Sequence, residues 1–341
     1  MSRLSYLSLC VLFTSTAALT QAQPARPWVA PGTPGSPIDG TIFHAQVLLG
    51  AAGFSTGVID GKGGMSFKAA VRGFQQSRGL TVTGELDTPT RRALLAQDRP
   101  STVWVKLGRT DIGGNYVYPY PKKPEGQAKL KWAGYRNMLE EVAERYHTTP
   151  DTIVALNGPK ALIGIGQTLR LPNVLPASTA YQGSPLKPEH RAWFVKLNVD
   201  ANEPQGDHLV VDKSEGLLKV LDKDERLVAQ FPVTTGSQHD PLPLGNWKIP
   251  TFAFLPPFHY QPDLFWDVDD SKDEKMLPAG PNGPVGVAWL DLTKEHYGIH
   301  GTPEPQTIGR TESHGCIRMT NWDVLRLSRM VKPGVKAVFQ A

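Results

Sequence analysis

Apolar residues change their spacing along this chain, and the changes mark out its parts. Between Ile38 and Gln97 they recur in helical steps: Phe43 to Leu49 is one run, and Phe67, Ala70, Val71 and Phe74 follow the i, i+3, i+4, i+7 spacing. Pro89 to Leu95 opens on a proline suited to a first turn, so three short helices are predicted. Further on, Leu139 to Tyr146 reads as a helix, and Thr149-Pro150-Asp151-Thr152 opens another that ends near Asn157-Gly158. Gly164 to Pro172 reads as a turn and a final strand. From His208 onward the period shortens. His208 to Val211, Leu217 to Leu221, Leu227 to Val233, Trp247 to Ile249, Val285 to Leu290 and Val335 to Phe339 are β-branched or aromatic runs bounded by Gly, Pro and Asp. Many short strands with one late helix predict a mostly β domain. Asp222-Lys223-Asp224 and Thr235-Gly236-Ser237 fit hairpin turns, and Pro250 to Pro281 is long enough to predict a functional loop or lid.

Proline sets the boundaries. Residues 1–22 have the anatomy of a signal peptide: Arg3 begins it, Leu4 to Leu19 is an apolar core diluted by Ser and Thr, and cleavage is expected after Ala22. Cys10 follows bulky Leu9 inside that core, which argues against a lipidated cysteine. Pro24, Pro27, Pro31, Pro34 and Pro37 make 23–37 an extended tether. The expected order is then a three-helix unit at 38–98, a small α+β module at 99–175, a linker at 176–206 carrying Pro176, Pro185 and Pro188, and the β domain at 207–341.

Composition sets limits and little more. The chain has 341 residues, 40% hydrophobic and 20% charged, which suits a multidomain globular protein. Its formal charge of +4 comes without a Lys/Arg block, so no nucleic-acid partner is expected. Past the signal region no stretch approaches the roughly 18 apolar residues of a membrane span.

Once the signal segment is removed, one cysteine remains. Cys316 lies in Ser313-His314-Gly315-Cys316-Ile317-Arg318, with His300 sixteen positions upstream. Exported proteins usually pair their cysteines, so a lone thiol beside two histidines points to a nucleophile rather than a bridge. Thr320 and Asp323 are spaced as a capping pair, which places Cys316 on a strand-to-helix turn. Backbone N–H groups can converge there, and a paired histidine would bring the thiol pKa from about 8.5 toward roughly 4 to 7. If the segment is extended, His314 and Cys316 share a face. Spacing does not decide which histidine is the base.

The run His300-Gly301-Thr302, then Ser313 to Arg318, resembles the signature of the YkuD-type L,D-transpeptidase catalytic domain. Thr234-Thr235-Gly236, Pro243-Leu244-Gly245, Ala279 to Gly286, Tyr297-Gly298-Ile299 and Thr320-Asn321-Trp322 extend the likeness over roughly His208 to Phe339, with Met319 where asparagine is also common. The resemblance implies a β-sandwich with a late helix and a cofactor-free, metal-free cysteine enzyme. Such an enzyme attacks the meso-diaminopimelate to D-Ala bond of a peptidoglycan tetrapeptide stem, releases D-Ala and passes the acyl group to an amine. On that resemblance Cys316 is the nucleophile and His300 the proton carrier, oriented by the Gly301 carbonyl. His314 and the Gly315 N–H would support the oxyanion, and Arg318, Ser313 and Tyr297 would contact substrate.

Val58-Ile59-Asp60-Gly61, Ala70 to Gln75 and Gly79 to Gly84 resemble the peptidoglycan-binding type 1 family. Residues 99–175 resemble the second half of a LysM module, a family that binds glycans containing N-acetylglucosamine. The first strand of that family is not recognisable, since Tyr116 to Lys123 is proline-rich and lacks a Gly-Asp-Thr lead-in. The implied partners are stem peptides and glycan strands, with an envelope lipoprotein lysine, a D-amino acid or water as other acyl acceptors. The implied location is periplasm or cell wall.

Other chemistries fit less well. His296, His300, His314 and Cys316 could ligate zinc, but Gly298 and Ile299 argue for a strand rather than a His-Glu-x-x-His helix. Gly53-Phe54-Ser55-Thr56-Gly57 matches a serine-hydrolase elbow with no strand before it, and Ser184-Pro185-Leu186-Lys187 matches Ser-x-x-Lys inside a proline-rich linker. A catalytically silent wall-binding protein would not need the Cys/His set.

Overall fold

The computed structural model describes residues 38–181, 186–266, 268 and 273–341. The expected signal peptide and tether, Cys10 and Ser184-Pro185 lie outside the described residues. Among those described, no helix is long and apolar enough to cross a membrane.

The first part is helical, as predicted: α1 (Gly40–Ala51), α2 (Met65–Ser77) and α3 (Thr88–Leu95). Asp39 caps α1 by accepting from the N–H groups of Thr41 and Ile42 at 2.8 and 3.0 Å, and Asp87 caps α3 ahead of Pro89. Leu48, Leu49, Phe54, Phe67, Val71 and Phe74 form its core.

The middle part contains a strand that the sequence did not reveal. β1 (Thr102–Lys106) precedes α4 (Pro124–Gln127), α5 (Met138–Arg145) and α6 (Pro150–Asn157), and pairs antiparallel with β2 (Thr168–Pro172). Thr149 caps α6, Pro150 occupies its first turn, and Gly158 ends it at φ 86°. The presumed linker then holds α7 (Pro188–Lys196), whose Phe194 is fully buried in the core of the last domain. Pro188 had suggested a linker because the residue both interrupts chains and starts helices.

The last part is the expected β domain. It has β3 (His208–Asp212), β4 (Leu217–Leu221), β5 (Leu227–Pro232), β6 (Gly245–Ile249), β7 (Phe252–Phe254), β8 (Phe258–Tyr260), β9 (Lys275–Leu277), β10 (Ala288–Asp291), β11 (Gly298–His300), β12 (Ile317–Arg318), α8 (Asn321–Met330) and β13 (Val335–Gln340). One sheet has the order β5-β4-β3-β13-β6 and the other β12-β11-β10-β7. Leu209, Val220, Phe231, Leu290, Ile299, Ile317, Trp322 and Phe339 join both sheets and α8 in one buried cluster. The Asp222 turn is a hairpin, its carboxylate accepting from Asp224 and Arg226 N–H. Thr235-Gly236-Ser237 is not. It runs beside the Cys316 turn, with Gly236 bridged to Ser313; a Cβ on Gly236 would lie 2.1 Å from the Asp240 carbonyl, so only glycine lets the 240–242 backbone pack against it.

The described residues belong to one compact unit. Phe54 bridges in parallel to Gln230 on β5, whose side-chain amide donates to the Ala69 carbonyl at 2.9 Å. Ser55 Oγ, from the elbow-like string, is buried and donates to Asp323 at 2.7 Å. That serine ties the helical part to α8.

Candidate active site

The site begins with one pair of parallel strands. Ile299 of β11 sits opposite Ile317 of β12, and His300 opposite Arg318. Both isoleucines enter the core, so alternation puts His300 and Arg318, with Cys316 two positions before Arg318, on the other face.

Cys316 ends a turn built around Gly315. That glycine has φ +93°, and a Cβ there would fall 2.5 Å from the Tyr297 ring. Ser313 holds the turn from inside: its N–H donates to the Thr235 carbonyl at 3.1 Å, and its hydroxyl donates to the Cys316 carbonyl at 2.6 Å. Ser313 is buried, so its hydroxyl is committed to the turn rather than offered to a ligand. The bend also removes the premise that His314 and Cys316 share a face as i and i+2 of an extended segment. His314 instead meets Phe265 edge-on, ring centroids 4.9 Å apart.

His300 is 5% exposed and stacks on Trp289, centroids 5.3 Å apart and planes 16° off parallel. Its Nδ1–H donates to the Gly301 carbonyl at 2.7 Å, which leaves Nε2 with the lone pair in the neutral ring. Burial, with Arg318 nearby, holds its pKa down to about 4 against the pull of the Gly301 carbonyl. Cys316 is half-buried, and its S–H donates to the His296 carbonyl at 3.7 Å. Burial pushes the thiol up to about 11, outweighing the Gly298 backbone and the Arg318 charge. The expected lowering of the thiol pKa is therefore absent. At rest the pair is a neutral thiol and a neutral imidazole.

Arg318 is half-buried, and among the described residues its guanidinium donates to the Glu312 carbonyl at 3.5 Å. Among the described residues no carboxylate lies within ion-pair distance of it. Tyr297 covers Gly315, and burial followed by the nearby Cys316 raises its pKa. Among the described residues no cluster of three His, Cys, Asp or Glu side chains could hold a metal ion.

The long segment after Pro250 forms the β8–β9 hairpin, Phe258 paired with Leu277 and Tyr260 with Lys275. At its tip Phe265 touches His314, and Trp266 stacks on His239 at 4.1 Å. Sequence reasoning missed Trp289, His239 and the His296 carbonyl. Only the strand assignment around Leu290 could have placed Trp289 beside His300. A cavity of about 510 Å³ lies elsewhere, at the junction of the three parts, lined by Asp60, Tyr135, Glu144, Thr149, Asn282 and Pro305 among others. Neither Cys316 nor His300 lines it.

Comparison with known proteins bears on this arrangement. Residues 206–339 match the family described as "L,D-transpeptidase catalytic domain", and residues 41–94 match "Putative peptidoglycan binding domain". "Putative L,D-transpeptidase YkuD" of Bacillus licheniformis is 36% identical over 119 residues, 35% of this chain and 56% of the relative. "Putative L,D-transpeptidase YqjB" of Bacillus subtilis is 27% identical over 141 residues, 40% of this chain and 72% of the relative. The chain thus spans just over half the length of the first of these. Among solved structures, "L,D-transpeptidase from Mycobacterium smegmatis" aligns over 39% of this chain and 58% of that one, at 18% identity and a TM-score of 0.32. That likeness is too slight to add to the family match.

Proposed function

With an L,D-transpeptidase catalytic domain at residues 206–339, we infer that this protein is a cysteine acyltransferase acting on peptidoglycan tetrapeptide stems. Cys316 attacks the carbonyl joining meso-diaminopimelate to D-Ala. The C–S bond forms as His300 Nε2 takes the thiol proton, the C–N bond breaks, and the proton passes to the departing D-Ala amine. An acceptor amine then attacks the thioester, loses a proton to His300, and the sulfur regains it as the C–S bond breaks. N–H groups around Gly315 and Cys316 offer the tetrahedral oxyanion its donors. Arg318 holds a stem carboxylate through its planar fork.

The observation that carries this reading is that His300, Cys316 and Arg318 share one face of a single strand pair, with the imidazole fixed as its Nδ1–H tautomer by Gly301. Because the resting thiol is neutral, proton transfer accompanies attack instead of preceding it.

The division at 38–98, 99–175 and 207–341 follows from the same reading. The helical unit and the middle module, in which β1 and β2 enclose α4, α5 and α6, would hold glycan strands while the β domain works on the stems. The substrate places the protein outside the cytoplasm, in periplasm or cell wall, in keeping with residues 1–22. The acceptor is an amine on a second stem or on an envelope lipoprotein, and water would give carboxypeptidase activity. Incubation with a disaccharide tetrapeptide should release D-Ala and yield cross-linked dimer by mass. Cys316→Ala should abolish release, and His300→Ala should lower it by about 10²-fold or more. Undiminished release from either variant would refute the assignment.

A further inference from the structure

We propose that Glu144, a buried carboxylate on α5 and so outside the β domain, is a positioning residue for His300, acting through Asn321 and the Gly301 carbonyl. This rests on His300 being the base of the function inferred above.

Asn321 is the first residue of α8 and is fully buried. Its amide is used completely. Oδ1 accepts from Val287 N–H at 3.0 Å, while Nδ2 donates to the Pro281 carbonyl at 3.1 Å and to Glu144 Oε1 at 2.7 Å. Oδ1 also wedges between two glycines: a Cβ on Gly286 or Gly301 would come within 1.9 or 2.0 Å of it. Gly301 is thus gripped on one side by Asn321. On the other its N–H donates to the Ala288 carbonyl at 3.2 Å. The Gly301 carbonyl is the acceptor that fixes His300 Nδ1. Rotating that peptide would release the imidazole, and a displacement of about 1 Å at a reacting group can cost on the order of 10²-fold in rate.

Glu144 sets the rotamer of Asn321 from the far side. It is 6% exposed, and its other oxygen faces the Tyr135 hydroxyl without forming a hydrogen bond of ordinary geometry, so the Asn321 bond is its defined anchor. The same module grips the next residue, since His147 stacks on Trp322 with centroids 4.9 Å apart and planes 9° off parallel. The middle module therefore finishes the support of the catalytic histidine, in addition to any part it takes in holding glycan.

Exchanging the polarity of the bond tests this with shape conserved. Asn321→Asp sets a carboxylate against Glu144, and adding Glu144→Gln restores a donor–acceptor pair. Two rates are read: turnover of the tetrapeptide, and alkylation of Cys316 by iodoacetamide, which needs no stem peptide. Asn321→Asp should lower both by about tenfold or more, with KM within about twofold of the parent. The Asn321→Asp/Glu144→Gln pair should recover part of the loss, since the bond to the Pro281 carbonyl stays broken, and in a His300→Ala background Asn321→Asp should have no further effect. A paired variant no faster than Asn321→Asp, or an Asn321→Asp protein as fast as the parent, overturns the proposal. A parent protein that alkylates in this pattern but leaves tetrapeptides untouched would instead overturn the inferred function alone.

Discussion

Cys316 and His300 lie on one face of the β11–β12 pair yet are shifted away from each other in proton affinity, the thiol up to about 11 and the imidazole down to about 4. Burial is the larger cause for both, because each would carry charge away from water. In His300→Ala, where no imidazole assists, alkylation of Cys316 should therefore climb by about tenfold per pH unit from neutrality toward pH 10, with no plateau near pH 6. A rate already flat at pH 6 would show a resting thiolate and contradict the structure. The motif identified these residues, but it could not supply the thiol pKa, which depends on how deeply the turn is buried. Nor could it show that the Ser313 hydroxyl is turned inward or that Gly315 has φ +93°. Gly315→Ala should cost about 1–2 kcal/mol from the left-handed backbone alone, and more from the Tyr297 contact, read as a lower urea midpoint together with slower acylation.

At the level of elements, local signals were legible wherever a cap or an alternation stood in the chain. Thr320 caps α8, its hydroxyl accepting from Asp323 N–H at 3.1 Å, as the spacing had suggested. The reciprocal half is missing, for the Asp323 carboxylate bonds Ser55 instead. Thr320→Ala should cost about 1 kcal/mol and lower the melting temperature by roughly 1–2 °C in a chain of this size. No loss would mean that packing alone positions α8 after the nucleophile. The strands β3, β4, β5 and β13 were readable because their inward residues alternate or run together between turns. β1 was missed although Thr102 to Val105 is β-branched and aromatic and lies between Pro100-Ser101 and Gly108; its partner β2 is more than 60 positions away. Thr235 to Ser237 was misjudged for a related reason: its partner, Ser313, is 76 positions beyond Ser237.

The whole molecule joins its parts through buried polar groups, and this should appear in its response to pH. His147, between α5 and α8, donates from Nε2–H to the Leu197 carbonyl at 2.7 Å, and burial lowers its pKa to about 3. The unfolded chain takes up that proton near pH 6.5 and the folded one only near 3, so stability falls as pH drops through this window. His300 acts in the same direction between about 6.5 and 4. Glu144 and Asp323 act oppositely, since burial raises them to about 7 and about 6, and they oppose stability as pH rises through those values. His147→Phe should keep the stack on Trp322, lower stability at pH 7 by about 1–3 kcal/mol through the orphaned carbonyl, and flatten the decline between pH 6.5 and 3. An unchanged acid slope in urea melts would show that His147 titrates normally.

The central claim is that a sulfur atom carries the acyl group. The most direct test is the intact mass of the protein quenched during turnover of a tetrapeptide donor, with the adduct located by peptide mapping. The account predicts a gain equal to the donor less D-Ala, held at Cys316 and absent from Cys316→Ala. A protein that turns over the donor with no added mass, or with the adduct on another residue, would contradict it.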